Sequence, residues 1–152
     1  MDVEILRKVA LFEGMTSAQL RKLAAALKET KFPGSAHIFK EGEAGTSMFI
    51  IVEGKVRISR EVPGMGEEAL AVLGAGNVFG EMSLIDESPR SADAVVHERC
   101  RLLVLSKDSF EDLLFLHKDL AYEVLWNIVR MLTGRLRETN EKLTFLSVSG
   151  KF

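Results

Sequence analysis

Between Ala36 and Ser106 the chain is a succession of short apolar segments cut by glycine, and no other feature limits its possible folds as tightly. The segments are Ile38-Phe39, Met48 to Val52, Val56 to Ile58, Ala69 to Leu73, Ala94 to Val96 and Leu102 to Leu105, and glycines stand at 42, 45, 54, 64, 66, 74, 76 and 80. Runs this short suit strands rather than helices, and turn residues at this spacing suit an antiparallel β-roll or sandwich. Pro63-Gly64-Met65-Gly66, lying between Val56-Arg57-Ile58 and Ala69-Leu70-Ala71, reads as a hairpin tip.

Both flanks switch to helical spacing. Thr16 and Gln19 have the spacing of a capping box, Leu20, Leu23, Ala24 and Leu27 follow on one helical face, and Pro33-Gly34 closes the region. Ser106 is placed to cap a helix through Phe110, Leu113 and Leu114. A longer helix starts near Lys118. In it Tyr122, Leu125, Val129, Leu132, Leu136, Thr139, Leu143 and Leu146 alternate steps of three and four, a heptad seam with one polar member, Thr139. Gly134 beside it costs about 1 kcal/mol of helix propensity. Such a seam either packs on the chain's own sheet or pairs with a second copy, and its length after a finished β region favours a parallel homodimer through residues 118–146. The expected fold is α+β. An antiparallel, jelly-roll-like β-roll fills 31–106, N-terminal helices lie within 1–30, and C-terminal helices fill 107–146. Together these make one domain over 1–152, because a chain of 152 residues fills one core and not two.

Composition removes several functions. Lys and Arg number 20 against 22 Asp and Glu, so no strongly basic nucleic-acid surface is written into the totals. The single cysteine, Cys100, excludes an internal disulfide framework and a cysteine-rich zinc site, and fits a reducing, cytoplasmic setting. The opening MDVEILRKV has no apolar signal core, and the longest uncharged run, Ala69 to Gly80, is too short and too glycine-rich to span a bilayer.

The stretch richest in chemistry is Val78 to Val95, VFGEMSLIDESPRSADAV. Gly80 allows a close backbone approach to a ligand, and Glu81 precedes a short helical turn, Met82 to Ile85, whose free N–H groups suit an anion. Pro89 stiffens the approach to Arg90, a bidentate partner for phosphate oxygens, and Ser91 and Ala92 are small. A carboxylate beside an anion cradle repels phosphate unless it faces a hydroxyl, so the combination fits a phosphate carried on a sugar. The plainer alternative is a surface ion pair between Glu81 and Arg90, worth under about 1 kcal/mol.

Four blocks in order, Leu11-Phe12 with Thr16 to Leu20, Ile38 to Gly42, Phe49 to Val56, and Phe79 to Leu84 with Pro89 to Ala92, resemble the cyclic nucleotide-binding domain family. Within it the resemblance is closest to the sensor domain of the bacterial catabolite activators. The last block resembles the family's phosphate-binding cassette, here 79–92. The resemblance implies that Glu81 accepts the ribose 2′-hydroxyl, Arg90 binds the equatorial phosphate oxygens and Ser91 adds a hydroxyl. It further implies that the backbone of Met82 and Ser83 caps the phosphate, that Gly80 gives clearance, and that Ala92 belongs to the same cassette. Ile58 and Leu70 would line the base side, with ordinary core packing as their alternative. Arg135 to Leu143 is similar to the activators' closing helix. By that likeness Thr139 bonds the adenine of its own subunit and Asn140, in place of the family's serine, reaches the partner's ligand. Asn offers both donor and acceptor, which leaves the choice between cAMP and cGMP open.

Enzymatic chemistry finds little to work with. His37, His97 and His117 have no metal-ligand spacing, no GxSxG motif is present, and Cys100 sits in an apolar strand that suits an inert buried thiol. Gly74 to Gly80 has one residue too many for a dinucleotide fingerprint. The expectation is a non-enzymatic cAMP receptor, with cGMP as second ligand and no cofactor or metal. It passes occupancy through its C-terminal helix to an unidentified downstream protein, without binding DNA or membrane by itself. The activators carry a helix-turn-helix after this helix. Only Thr144 to Phe152 remain here, and Phe145 to Gly150 resembles the hinge into such a domain. The alternatives are a ligand-free dimerisation module of the same fold, or the sensor part of a transcription regulator.

Overall fold

In the computed structural model, which describes residues 3–149, the N-terminal flank folds as α1 (Val3–Leu6), a 3-10 turn (Ala10–Phe12) and α2 (Ser17–Ala26). The capping box forms. The Gln19 N–H donates to Thr16 Oγ1 at 3.1 Å and the Thr16 N–H to Gln19 Oε1 at 2.9 Å. Helix ends at Ala26 rather than near 30, because Lys28–Phe32 pairs with a later strand as β1. Its exposed Glu29 and Lys31 alternate with half-buried Thr30 and Phe32, the period of a strand with one wet face.

Among the described residues six strands form one antiparallel sheet, in which β1, β6 (Asp93–Ser106), β3 (Ser47–Val62) and β4 (Gly66–Leu73) follow in that order, with β2 (His37–Phe39) on β6 and β5 (Val78–Phe79) on β3. β3 (Ser47–Val62) and β6 (Asp93–Ser106) each join two of the apolar segments into one strand. The polar residues between those segments do not end the strands. Instead the β3–β6 register shifts between Ile51 and Val56, where Gly54 takes φ +94°. A Cβ at Gly54 would lie 2.1 Å from the Arg99 carbonyl oxygen, so only glycine lets the two strands stay paired through the bend that rolls the sheet. The hairpin of β3 with β4 (Gly66–Leu73) closes where the sequence places it, with Val62 opposite Gly66.

Residues of β3 alternate between two cores. Met48 and Ile50 join Leu6, Phe12, Leu20, Leu23, Leu103 and Leu105 beneath the helices. Phe49 and Ile51 face the interior of the roll with Val56, Phe79, Val96, Cys100 and Leu102. Cys100 is buried, its thiol bonded to the Glu98 and Lys55 carbonyls and pushed up in pKa by that burial.

Helix α4 (Lys107–Leu116) starts at Ser106, whose Oγ accepts from the Ser109 N–H at 3.1 Å. Helix α5 (Lys118–Ser149) runs 32 residues, which at 1.5 Å each is about 48 Å. It buries Leu120, Ala121, Val124, Asn127 and Ile128 against the domain. Asn127 Nδ2 donates to the carbonyls of Leu11 (2.8 Å) and Glu13 (3.0 Å), tying the helix to the 3-10 turn. The heptad seam is a different face: Tyr122, Leu125, Val129, Leu136, Thr139, Leu143 and Leu146 are exposed, and Leu132 is half-buried. No helix among the described residues is long and apolar enough to cross a membrane.

Candidate ligand-binding site

The two residues of β5 deliver the chain to Gly80, which takes φ +79° and starts the short helix α3 (Glu81–Asp86). Glycine is required there twice over. The conformation is left-handed, and a Cβ would lie 2.7 Å from Arg90 Nη1. Glu87, in the left-handed region at φ +60°, ends α3, and the chain returns so that Arg90 bonds the carbonyl of Gly80. Between α3, the roll and α5 lies a cavity of about 250 Å³. One wall is apolar, from Phe39, Ile58, Ala71, Leu73 and Phe79. The other carries Gly80, Glu81, Met82, Ser83, Arg90, Ser91, Ala92 and Arg135.

Arg90 is 6 % exposed. Its Nη1 donates to the Gly80 carbonyl at 2.8 Å and its Nη2 to the Ser47 carbonyl at 2.6 Å, and its Cζ sits 4.1 Å from the Phe39 ring centroid. Nε is buried with no partner among the described residues. Nor does any carboxylate among them form an ion pair with this guanidinium. Burial therefore pulls its pKa below the ordinary arginine value, against the opposing charges of Glu43 and Glu81.

The surface pair of Glu81 with Arg90 is not what forms. Both residues are buried, and Glu81 is instead ion-paired with Arg135 from α5, whose Nη2 also reaches the Val78 carbonyl at 3.3 Å. The Glu81 side chain is 3 % exposed and that of Arg135 44 %, so the carboxylate belongs to the cavity and the guanidinium to its mouth.

Of the residues singled out in sequence, Gly80, Glu81, Met82, Ser83, Arg90, Ser91, Ala92 and Ile58 meet at this one cavity. Leu70 does not. It lies where the β3–β4 register shifts, between the pairs Ile58–Ala71 and Ser59–Ala69, and is 55 % exposed. Side chains alternate along a strand, so its neighbours Ala71 and Leu73 take the wall. Thr139 and Asn140 are also outside the cavity of this single chain. Both are exposed, the Thr139 hydroxyl donates to the Arg135 carbonyl at 2.9 Å, and the Asn140 carbonyl accepts from the Thr144 hydroxyl.

Arg135, Phe39 and Gly45 were not among the expected site residues. Arg135 was detectable, since it stands one helical turn before Thr139 on the same face. Gly45 was not, because its importance is a matter of who lies opposite: a Cβ there would lie 2.1 Å from Ser83 Cβ. Among the described residues no group of three or more His, Cys, Asp and Glu could hold a metal ion.

Residues 29–117 match the family model described as the cyclic nucleotide-binding domain. The chain is similar to a CRP-like cAMP-activated global transcriptional regulator of Mycobacterium tuberculosis, 31 % identical over 97 % of this chain and 66 % of that protein. It is similar also to a cyclic AMP receptor protein of Thermus thermophilus, 38 % identical over 90 % of this chain and 62 % of that protein. The chain thus spans just under two thirds of the length of these relatives. Among solved structures, a cyclic nucleotide-binding domain from Methylobacillus flagellatus superposes with a TM-score of 0.82 at 32 % identity, covering 93 % of this chain and 80 % of that one.

Proposed function

We propose that this chain, which belongs to the cyclic nucleotide-binding domain family, binds a cyclic nucleoside monophosphate in the Arg90 cavity and serves as a regulatory sensor. One observation carries the reading. Among the described residues Arg90 is a buried cation whose hydrogen bonds go only to carbonyls and whose face rests on the Phe39 ring, with Nε unpartnered and no counter-ion in contact. An uncompensated buried charge is costly, and a ligand with one negative charge removes that cost. A cyclic phosphate diester carries one such charge.

The neighbouring groups fit the rest of the molecule. Glu81 is an acceptor-only carboxylate that a phosphate would avoid and a ribose 2′-hydroxyl would seek. Met82, Ser83 and Ser91 line the cavity together with Arg90, where the backbone of the first two and the Ser91 hydroxyl would meet the phosphate, and Ile58, Ala71 and Leu73 would give the base an apolar bed. cAMP is the ligand we favour, on the names of the two relatives, with cGMP as the alternative. In this role the chain needs no cofactor and performs no catalysis.

The exposed heptad seam over 118–146 supports a homodimer. In such a pair Thr139 would serve the subunit's own ligand and Asn140 the ligand of the partner. Occupancy then passes through α5 to a further protein, and this chain alone does not bind DNA. Calorimetric titration with cAMP and cGMP tests the reading. Saturable heat and a raised melting temperature are expected, larger for cAMP. No heat and no melting shift with either ligand at millimolar concentration would refute it.

A further inference from the structure

Resting on that reading, we propose that the Ser83 hydroxyl is a direct hydrogen-bond donor to the ligand's phosphate, and that Gly45 is the residue that makes room for it. Ser83 is 5 % exposed and lines the cavity beside Arg90. Its hydroxyl makes no hydrogen bond within the described residues and is not one of the enclosed atoms that lack a partner, which are Ser59 Oγ and Arg90 Nε, so it opens onto the cavity. Hydroxyls within α5 behave otherwise: Thr133, Thr139 and Thr144 each donate to the carbonyl one turn back. Ser83 is the third residue of α3, and the residue four before it, Phe79, is in β5, so no helical carbonyl lies behind it. A hydroxyl that opens onto a cavity and has no acceptor within the chain is free to donate to what enters there.

Gly45 shows which acceptor. A Cβ built on it would lie 2.1 Å from Ser83 Cβ, 2.5 Å from Ser83 Oγ and 3.2 Å from Arg90 Cζ. Its φ is not in the left-handed region, so the requirement for glycine is one of space alone. The backbone at Gly45 is a floor against which the hydroxyl and the guanidinium rest side by side. An anion that meets Arg90 is therefore next to Ser83. The apolar wall of Ile58, Ala71 and Leu73 offers the base no comparable donor, so the hydroxyl is assigned to phosphate.

The experiment measures binding of cAMP and of its two phosphorothioate diastereomers, in which sulfur replaces one or the other exocyclic oxygen, to wild type, Ser83→Ala and Gly45→Ala. Loss of one donor to a charged acceptor weakens cAMP binding by about tenfold or more in Ser83→Ala, with the ligand-free melting temperature unchanged. In the wild type, sulfur at the oxygen facing Ser83 carries a penalty. That penalty shrinks in Ser83→Ala, while the one at the other oxygen persists. Gly45→Ala, which must displace both side chains, weakens both diastereomers alike. Ser83→Ala binding cAMP within twofold of wild type, or keeping both sulfur penalties, overturns the role of the hydroxyl. Gly45→Ala binding like wild type overturns that of the floor. A wild type that binds no cyclic nucleotide overturns the function proposed above, and this inference with it.

Discussion

Arg90→Met separates a structural arginine from one held for a ligand. Without ligand the guanidinium contributes two charge-assisted hydrogen bonds, to Gly80 and Ser47, at about 1.5–3 kcal/mol each. Against them stand the several kcal/mol of a buried ion without a counter-ion and about 1–3 kcal/mol for the unpartnered Nε. Methionine keeps the stem and a favourable contact with the Phe39 ring. The opposing terms nearly cancel, so the variant without ligand should unfold within about 2 kcal/mol of wild type, a shift of about 4–8 °C at most. Binding should behave differently. Removing one partner of a buried charge pair costs about 3–5 kcal/mol, or about two to four decades of affinity. Differential scanning fluorimetry without ligand and calorimetry with cAMP read the two quantities on one preparation. A variant destabilised by more than about 4 kcal/mol would make Arg90 a structural residue. Near-normal affinity would put the phosphate somewhere else.

Three further outcomes follow from the ion pairs and the helix faces. Arg135→Ala leaves the Glu81 carboxylate buried without its counter-charge. Because Arg135 is 44 % exposed the loss should be about 1–3 kcal/mol, less than for a fully buried pair, and Arg135→Ala with Glu81→Gln should melt closer to wild type than Arg135→Ala alone. Leu136→Glu with Leu143→Glu places charges in the exposed seam and should shift sedimentation from dimer to monomer, and a wild type that sediments as monomer at every concentration would defeat the seam. Hydrogen bonds from Arg57 and Lys107 hold Glu67 and Glu87 below the ordinary carboxylate value of 4.5. A depressed pKa stabilises above the unfolded value and is lost as pH falls through the folded one. The urea midpoint of wild type should therefore drop more steeply below pH 4.5 than that of Glu67→Gln with Glu87→Gln.

Features set by neighbours along the chain are legible in the amino-acid sequence. The capping box at Thr16, the cap at Ser106 and the Pro63 to Gly66 hairpin depend on contacts within a few residues, and each forms. That Gly80 to Ser83 and Arg90 to Ala92 meet at one cavity is legible for the same reason, since they are close in the chain. What cannot be read that way depends on pairing across the fold. The length of β3 and β6 is decided by the partner strand at the Gly54 bend rather than by local hydrophobicity. Residues 28–32 are a strand because β6 pairs with them, and Leu70 leaves the cavity because of a register shift between β3 and β4. Glu81 finds Arg135, 54 positions away, rather than Arg90. Helical periodicity separates the faces of α5, but it does not say that the seam of Leu136 and Leu143 is left bare while Val124 and Ile128 enter the core.

That division of α5 bears on how a sensor of this kind could signal. The first half of the helix is fixed by its buried stripe and by Asn127 on the 3-10 turn. From Thr133 to Val148 every residue is exposed, and a helix of that length is marginal in water without packing. The polar contact that draws this half to the domain is Arg135 with Glu81 and the Val78 carbonyl. On the proposed reading, Glu81 is also the acceptor that the ribose hydroxyl requires. Ligand and helix therefore draw on one carboxylate, and whatever changes the hold of Arg135 on it changes ligand affinity. Linkage makes this reciprocal: a second copy or another protein that captures the outer half of α5 must alter cyclic nucleotide affinity by the same factor by which the nucleotide alters its capture. Arg135→Ala should therefore shrink the difference between dimerisation constants measured with and without cAMP. An undiminished difference in that variant would mean that α5 senses the ligand by another route.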